Sequence, residues 1–323
     1  MADELELLRH ANPVPSGDPR FRDRPLDHGA ERHLNQLLSA RRPRRTRLVW
    51  SLATAAVAAV TALALLLAGP STTPAVAAPG PLVPLAGSTP VSLDRLAARA
   101  ETAASDGSPR LLQGTHTQSW SLSMTSGPGA ERPITLPQER IVRWKADGSH
   151  TELVVATDPR HPGEPVITDE GGDPRTVEDG HVLKRQTYPP SWSDAPPQAQ
   201  PPHDVGKLYA YLEELNRDGA MTTPQLLDVT TELLDHWTLG ARESAALARI
   251  LADAKGLRPV GEVTDRLGRR GQAYVYAETA TRRMLILDPA TGAVLGLETT
   301  FTKDQPEYGV EAGDVMQYSA WMR

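Results

Sequence analysis

The sequence predicts an α+β fold, a largely antiparallel sheet with a helical middle segment, preceded by one transmembrane helix. Three observations predict it. An uncharged apolar run, Leu48 to Gly69, precedes everything that patterns as a globular domain. Strand-like alternation flanks a block with helical spacing, Asp204 to Lys255. Tight-turn sequences, Asp147-Gly148 and Asp288-Pro289-Ala290-Thr291-Gly292, join neighbouring strand patterns into hairpins. The chain therefore divides into a partly disordered cytoplasmic tail (1–47), a membrane helix (48–69), a Pro/Ala-rich tether (70–90) and an extracytoplasmic α+β domain (91–323).

The membrane helix rests on length and flanks. Leu48 to Gly69 is 22 residues without a charge, and about 20 apolar residues cross a bilayer core. Trp50 stands where an interfacial aromatic would. Arg41, Arg42, Arg44, Arg45 and Arg47 precede the run, and the next charge is Asp94. Positive residues stay in the cytoplasm, so the N-terminus is expected inside and the C-terminal domain outside the cell membrane. Ala75-Val76-Ala77 offers a signal-peptidase pattern, but the long tail and long apolar run favour an uncleaved anchor.

In the tail, Asp3–Ala11 and about Asp27–Arg41 have helical patterns, separated by the Pro- and charge-rich stretch Asn12–Pro25. A floppy tail with a membrane-proximal helix is the first reading. A docking helix for a cytoplasmic protein partner is the second, favoured less because its apolar stripe is short.

Beyond the tether, Ser92 is placed to cap a helix running to about Ala104. A strand follows at Leu111–Met124, with Thr115, Thr117, Ser119, Ser121 and Ser123 on one face and His116, Gln118, Trp120, Leu122 and Met124 on the other. That alternation predicts a sheet with one solvated face. Further strands are expected at Glu139–Ala146, Ser149–Thr157 and about 181–187, with 158–180 as loop. Pro189–Pro202, six prolines in 14 residues, reads as a surface connector anchored by Trp192. Three helices occupy the middle block, the second capped by Thr222 or Thr223 with Pro224 in its first turn, the third ended by Gly256. Strands are expected at Pro259–Asp265, Gln272–Thr279, Arg283–Asp288, Ala293–Phe301 and Val315–Met322.

Composition narrows the chemistry. With 29 Pro, 25 Gly and only 5% aromatic residues, the chain reads as one globular domain plus extended segments. It has no cysteine, which excludes disulfides, thiolate nucleophiles and Cys-ligated zinc. Residues 1–47 carry ten basic and seven acidic side chains, net +3, whereas 70–323 carry 24 and 33, net −9. An acidic outer domain without a basic stripe argues against nucleic acid as a partner. None of the nine histidines has a metal-binding spacing. His161, near Asp158, Glu164 and Asp169, reads as part of a solvated loop, and His236-Trp237 as a helix-end capping and packing pair. No G-x-S-x-G, Walker A or G-x-G-x-x-G occurs. No catalytic residue, metal ligand or cofactor is therefore nominated, and the chain is read as a non-enzyme.

Some stretches are nonetheless distinctive. The opening Asp3-Glu4-Leu5-Glu6-Leu7-Leu8-Arg9, the arginine-flanked apolar run, Gly261-Glu262-Val263-Thr264-Asp265, Gly268-Arg269, Leu287 to Gly292 and Leu295-Gly296 resemble the actinobacterial CU044-type hypothetical membrane proteins. The resemblance implies a single-pass membrane protein, from a family often discussed beside extracytoplasmic-function sigma factors. The element order of the outer domain is also similar to the lipoprotein-carrier fold, which an envelope-stress sensor shares; that is analogy of fold alone. The tail lacks the Cys and His pattern of a zinc-type anti-sigma factor.

Two functions follow as expectations. The first is a non-enzymatic, membrane-anchored sensor or interaction module in envelope or sigma-factor regulation, whose apolar concave sheet face, with Trp120, Leu122 and Met124, binds a lipid, a peptide or a protein. The bland reading of those three side chains is core beneath the helices. The second is a tethered lipid or lipoprotein carrier or chaperone.

Overall fold

The computed structural model describes residues 79–127, 130–170, 172–190, 195–216 and 219–323. The chain divides into two units, Met1–Thr72 and Thr73–Arg323, and the described residues all belong to the second. The tail helices, the apolar run at 48–69, Ala75-Val76-Ala77 and Trp192 lie outside the described residues. Among the described residues no helix is long and apolar enough to cross a membrane.

The element order is α1 (Leu93–Ala103), β1 (Leu112–Ser123), β2 (Ile134–Trp144), β3 (His150–Ala156), β4 (Val166–Thr168), β5 (Arg175–Val177), β6 (His181–Tyr188), α2 (Val205–Leu215), α3 (Thr223–His236), β7 (Trp237–Thr238), α4 (Ala241–Ala252), β8 (Arg258–Thr264), β9 (Arg270–Ala277), β10 (Thr281–Leu287), β11 (Val294–Phe301) and β12 (Val315–Met322). This is the expected α+β architecture, a mostly antiparallel sheet with four α-helices among the described residues. Local chemistry sets the element ends. Ser92 Oγ accepts from the Arg95 amide to start α1, and Pro224 sits in the first turn of α3. At the β2–β3 turn Asp147 Oδ1 accepts from the amide and hydroxyl of Ser149 while Gly148 takes φ 80°.

The strands run β6-β3-β2-β1-β12-β11-β10-β9-β8, with β7 paired to β1, all antiparallel. Two meanders are thus joined where the first long strand meets the last, Thr117 opposite Trp321 and Trp120 opposite Tyr318. The helices bury Leu208, Leu212, Leu227, Leu233, Leu247 and Leu251 against Tyr274, Leu285, Leu287 and Trp321 on one sheet face. The other face carries a second cluster, Trp120, Val263, Ala273, Met284, Ile286, Val315, Tyr318 and Ala320.

Three differences from the sequence reading have physical causes. The Thr/Ser face of β1 is not simply solvated: Thr115 and Thr117 are buried on the side of Trp321, their hydroxyls 3.1 Å apart. Mutual hydrogen bonding lets these small polar side chains sit in the interior. Val166–Thr168 and Arg175–Val177, expected as loop, pair as the two-stranded sheet β4–β5. The described end of the expected tether, 79–90, is docked on the sheet. Leu82 packs into the second cluster and its amide donates to Glu298 Oε1 at 2.8 Å. The Leu85 amide donates to Glu262 O at 2.7 Å, and Val91 reaches the helix-side core.

Candidate functional site

Trp120 is 1% exposed, on the sheet face turned away from the helices. Its ring lies 5.5 Å from that of Tyr318, and the Arg160 guanidinium sits 5.2 Å above it, a desolvated cation–π contact. Leu122, half-buried, follows on the same face opposite Thr135, and Met124, also half-buried, lies beyond the end of β1. The three nominated residues therefore follow one another along one strand direction, but only Trp120 reaches the recess described next.

That recess, about 110 Å³, is floored by Trp120, Thr135 and Pro137 from β1 and β2 and roofed by Asp158 and Arg160 from the chain between β3 and β4 and by Val166 at the start of β4. Several contacts hold the roof in place. Gln118 Nε2 donates to Thr157 O at 2.9 Å, Thr157 Oγ1 donates to Asp179 Oδ1 at 2.5 Å, and the Gly163 amide donates to Asp179 Oδ2 at 2.9 Å. Asp158, 3% exposed, grips Arg160: Nε to Oδ1 at 2.9 Å and one terminal nitrogen to Oδ2 at 2.6 Å. Burial pushes the Asp158 carboxyl up, but the Arg160 guanidinium and amide outweigh it and hold the group below its ordinary value. The Trp120 indole lies close enough to add to that pull without making a hydrogen bond.

Two polar atoms remain unpartnered at this recess, Trp120 Nε1 and Thr135 Oγ1, both fully buried. Buried polar groups are normally bonded, so each exception calls for a cause. Both atoms are covered by their neighbours, so neither is open to a group in the recess. Its carboxylate is locked in an ion pair, which makes it a poor proton donor or acceptor near neutral pH.

A second constellation lies on the helix side of β2, β3 and β6. Glu152 accepts from Arg140 Nε at 2.7 Å, Lys184 Nζ at 2.5 Å and Tyr188 Oη at 3.1 Å. Arg140 also donates to Asp235 O at the end of α3, 3.1 Å away. Burial alone would raise the Glu152 pKa, but the Lys184, Arg140 and Tyr188 hydrogen bonds bring it down to about 2. His150 stacks between Trp144 and Tyr188, with centroids 4.3 and 4.6 Å away, and burial lowers its pKa. With Glu152 held by three donors, this network is a brace.

His161 Nδ1 comes to 3.9 Å from Glu164 Oε2, while Asp158 is committed to Arg160. Among the described residues no three His, Asp or Glu side chains gather as a metal site. Thr135, Asp158 and Arg160 were not singled out as site residues in the sequence. The turn-forming Asp158-Pro159-Arg160 after a strand was the available signal, but nothing local folds it back over Trp120.

No family model matches the chain, and no curated protein matches it. One solved structure with some similarity is the dehydratase domain from the CurF module of curacin polyketide synthase. It is 14% identical and covers 76% of this chain and 96% of its own, with a TM-score of 0.12, too low to carry an argument.

Proposed function

We propose that the chain is a non-enzymatic, membrane-anchored sensor or interaction module whose outer domain binds its ligand beside Trp120. The observation that carries this reading is the recess itself, lined by Trp120, Pro137 and Val166 with a neutralised Asp158–Arg160 pair in its wall. Such a site suits recognition, because its titratable group is held in one state. The 22-residue uncharged run and its arginine flank support the anchor. The resemblance to membrane proteins discussed beside sigma factors is the reason for putting the module in envelope regulation.

The carrier reading draws no support from this recess. Ligand pockets of drug size run to about 300–1,000 Å³, and 110 Å³ cannot enclose an acyl chain. A groove of about 360 Å³ beside Leu112 and Trp144 is open to water and would leave a tail exposed.

The test uses the absence of cysteine. Single-cysteine variants Ser16→Cys and Glu164→Cys are expressed in intact cells and exposed to a membrane-impermeant maleimide. Labelling at position 164 but not 16, with both labelled after lysis, is the expected result. Labelling of 16 in intact cells, or of neither site until lysis, would overturn the anchored, outward-facing reading.

A further inference from the structure

We infer that residues 79–86 are a reversible clasp, which lifts from the sheet about Gly87 while the domain beneath stays folded. Closed, it covers the Arg266–Glu298 pair and the backbone of β8; open, it bares them. The clasp rests on local contacts, and its use as a relay between membrane and domain rests on the anchored reading above.

Three observations single out this segment. The first is how lightly it is held. Residues 79–86 are half-buried or exposed throughout, Val83 to 72%. Leu82 packs into the second cluster. The Leu82 amide donates to Glu298 Oε1 at 2.8 Å, the Leu85 amide to Glu262 O at 2.7 Å, and Arg266 donates to Gly80 O at 3.0 Å. Segments with few buried apolar contacts are the ones that open by themselves.

The second is what lies beneath. The side chains of Arg266 and Glu298 form an ion pair and are 6% and 0% exposed. Closing the strap over them takes water from two charges. That cost is compensated only where the remaining polar atoms are bonded too, yet Arg266 Nε has no partner under the closed strap. The penalty offsets what Leu82 and the hydrogen bonds contribute, so the two states lie close in free energy.

The third is a defined pivot. Gly87 takes φ 74° with open space where a Cβ would be, in a turn closed by the Ser88 amide on Leu85 O at 3.1 Å. Beyond it the chain is fixed. Ser88 Oγ accepts from the Glu262 amide at 3.1 Å, and the Val91 amide donates to Gln272 Oε1 at 3.3 Å. Ser88 lies so close to Gly261 that a Cβ there would stand 2.4 Å from its hydroxyl. In the anchored reading the membrane span precedes the strap. A displacement of the domain against its anchor then acts first on Gly80 and Leu82, the residues that keep the pair covered. The competing account is a strap that leaves the sheet only when the whole domain unfolds.

The test uses the full-length chain in detergent. It has no cysteine of its own, so Leu82→Cys, Val83→Cys and Ile286→Cys each give a single thiol. Labelling is followed at rising urea below the unfolding transition. Val83→Cys should react as a free thiol. Leu82→Cys should react about 10- to 1,000-fold more slowly, as an open state populated to about 0.1–10% requires. Its rate should barely respond to urea, because opening exposes little surface. Ile286→Cys, in the same cluster but on the sheet, should be slower again and accelerate with urea. Hydrogen exchange of the unsubstituted chain removes any effect of the substitutions: the Leu82 and Leu85 amides should exchange by a urea-insensitive route, well before those of β10. Labelling and exchange at Leu82 that keep step with Ile286 at every urea concentration would overturn the inference and make the strap part of the folded core. Leu82→Cys reacting as fast as Val83→Cys, with the Leu82 and Leu85 amides unprotected, would overturn it too, since no closed state would exist. Neither measurement depends on sidedness, so such a failure is distinct from failure of the anchored reading, which labelling of positions 16 and 164 in intact cells reports.

Discussion

Glu152 shows what a single side chain does in this fold. Three donors from the two strands flanking its own converge on it, Arg140 on β2, Lys184 and Tyr188 on β6, with Glu152 itself on β3. Their hydrogen bonds bring its pKa down to about 2 from the ordinary 4.5. A carboxyl depressed in the folded state stabilises that state above the unfolded pKa. Its contribution is therefore complete above about pH 4.5 and falls away as the pH drops toward 2. Glu152→Gln should cost about 2 kcal/mol at pH 7, in line with hydrogen bonds to a charged group. The difference from the natural chain should shrink toward pH 2, as followed by urea unfolding across that range. A gap that stays constant with pH would mean the carboxylate charge contributes nothing. The closeness of Arg140 and Glu152 follows from the hairpin that Asp147-Gly148 predicts, but Lys184 and Tyr188 join them only through the register of β6 on β3, which no turn sequence announces. Trp120 was readable as a large apolar residue at a half-buried position. What surrounds it depends on the roof formed by residues 157–166, which no periodicity announces.

At the scale of elements, turn chemistry was the most legible feature. Asp288 Oδ1 accepts from the Ala290 amide and from the amide and hydroxyl of Thr291, and Gly292 closes the β10–β11 turn with φ 70°. The sequence shows why a glycine suits that turn, but not what the turn touches. A Cβ on Gly292 would stand 2.8 Å from Ala100 Cβ and 3.1 Å from Ala248 Cβ, so the hairpin tip is wedged between α1 and α4. Gly292→Ala combines left-handed strain of about 1–2 kcal/mol with overpacking of about 1–3 kcal/mol. A loss of about 2–5 kcal/mol is expected in thermal or chemical unfolding. A near-neutral result would show that α1 and α4 separate at little cost. The pairing of β1 with β12 was not legible for a related reason. Hairpin order follows from turns, but a contact between strands some 200 residues apart is chosen by which faces the core can bury.

For the whole molecule, the segment 79–91 decides how the open sheet is finished. Edge strands expose unpaired backbone groups and invite association. At β6 the edge carries Lys184 and Arg185, charges that discourage such pairing. At β8 the chain supplies its own cover. The Leu85 amide bonds Glu262 O, Ser88 Oγ accepts from the Glu262 amide, and the strap passes from Leu82 on one sheet face to Val91 on the other. Arg266 and Glu298, 6% and 0% exposed, form a buried ion pair beneath it and bond Gly80 O and the Leu82 amide respectively. Proline-rich composition reads as a tether because prolines favour extended chain. Extended chain is also what an exposed edge can bind, and that outcome depends on the edge rather than on the strap's own sequence. Two truncations separate these roles. A chain starting at Pro79 keeps the strap and should unfold at the same urea concentration as residues 79–323 do within the full chain. A chain starting at Ser92 retains the α1 cap but uncovers the β8 edge, the Val263–Ile286 cluster and one acceptor of Glu298. It should lose about 2–4 kcal/mol, from the apolar contact of Leu82 and the strap hydrogen bonds, and should self-associate with rising concentration in sedimentation. Equal stability of the two truncations, with both monomeric, would make the strap a passive linker that happens to lie on the sheet. Loss of stability without self-association would show that the strap acts through the buried pair and the cluster, and that the β8 edge protects itself.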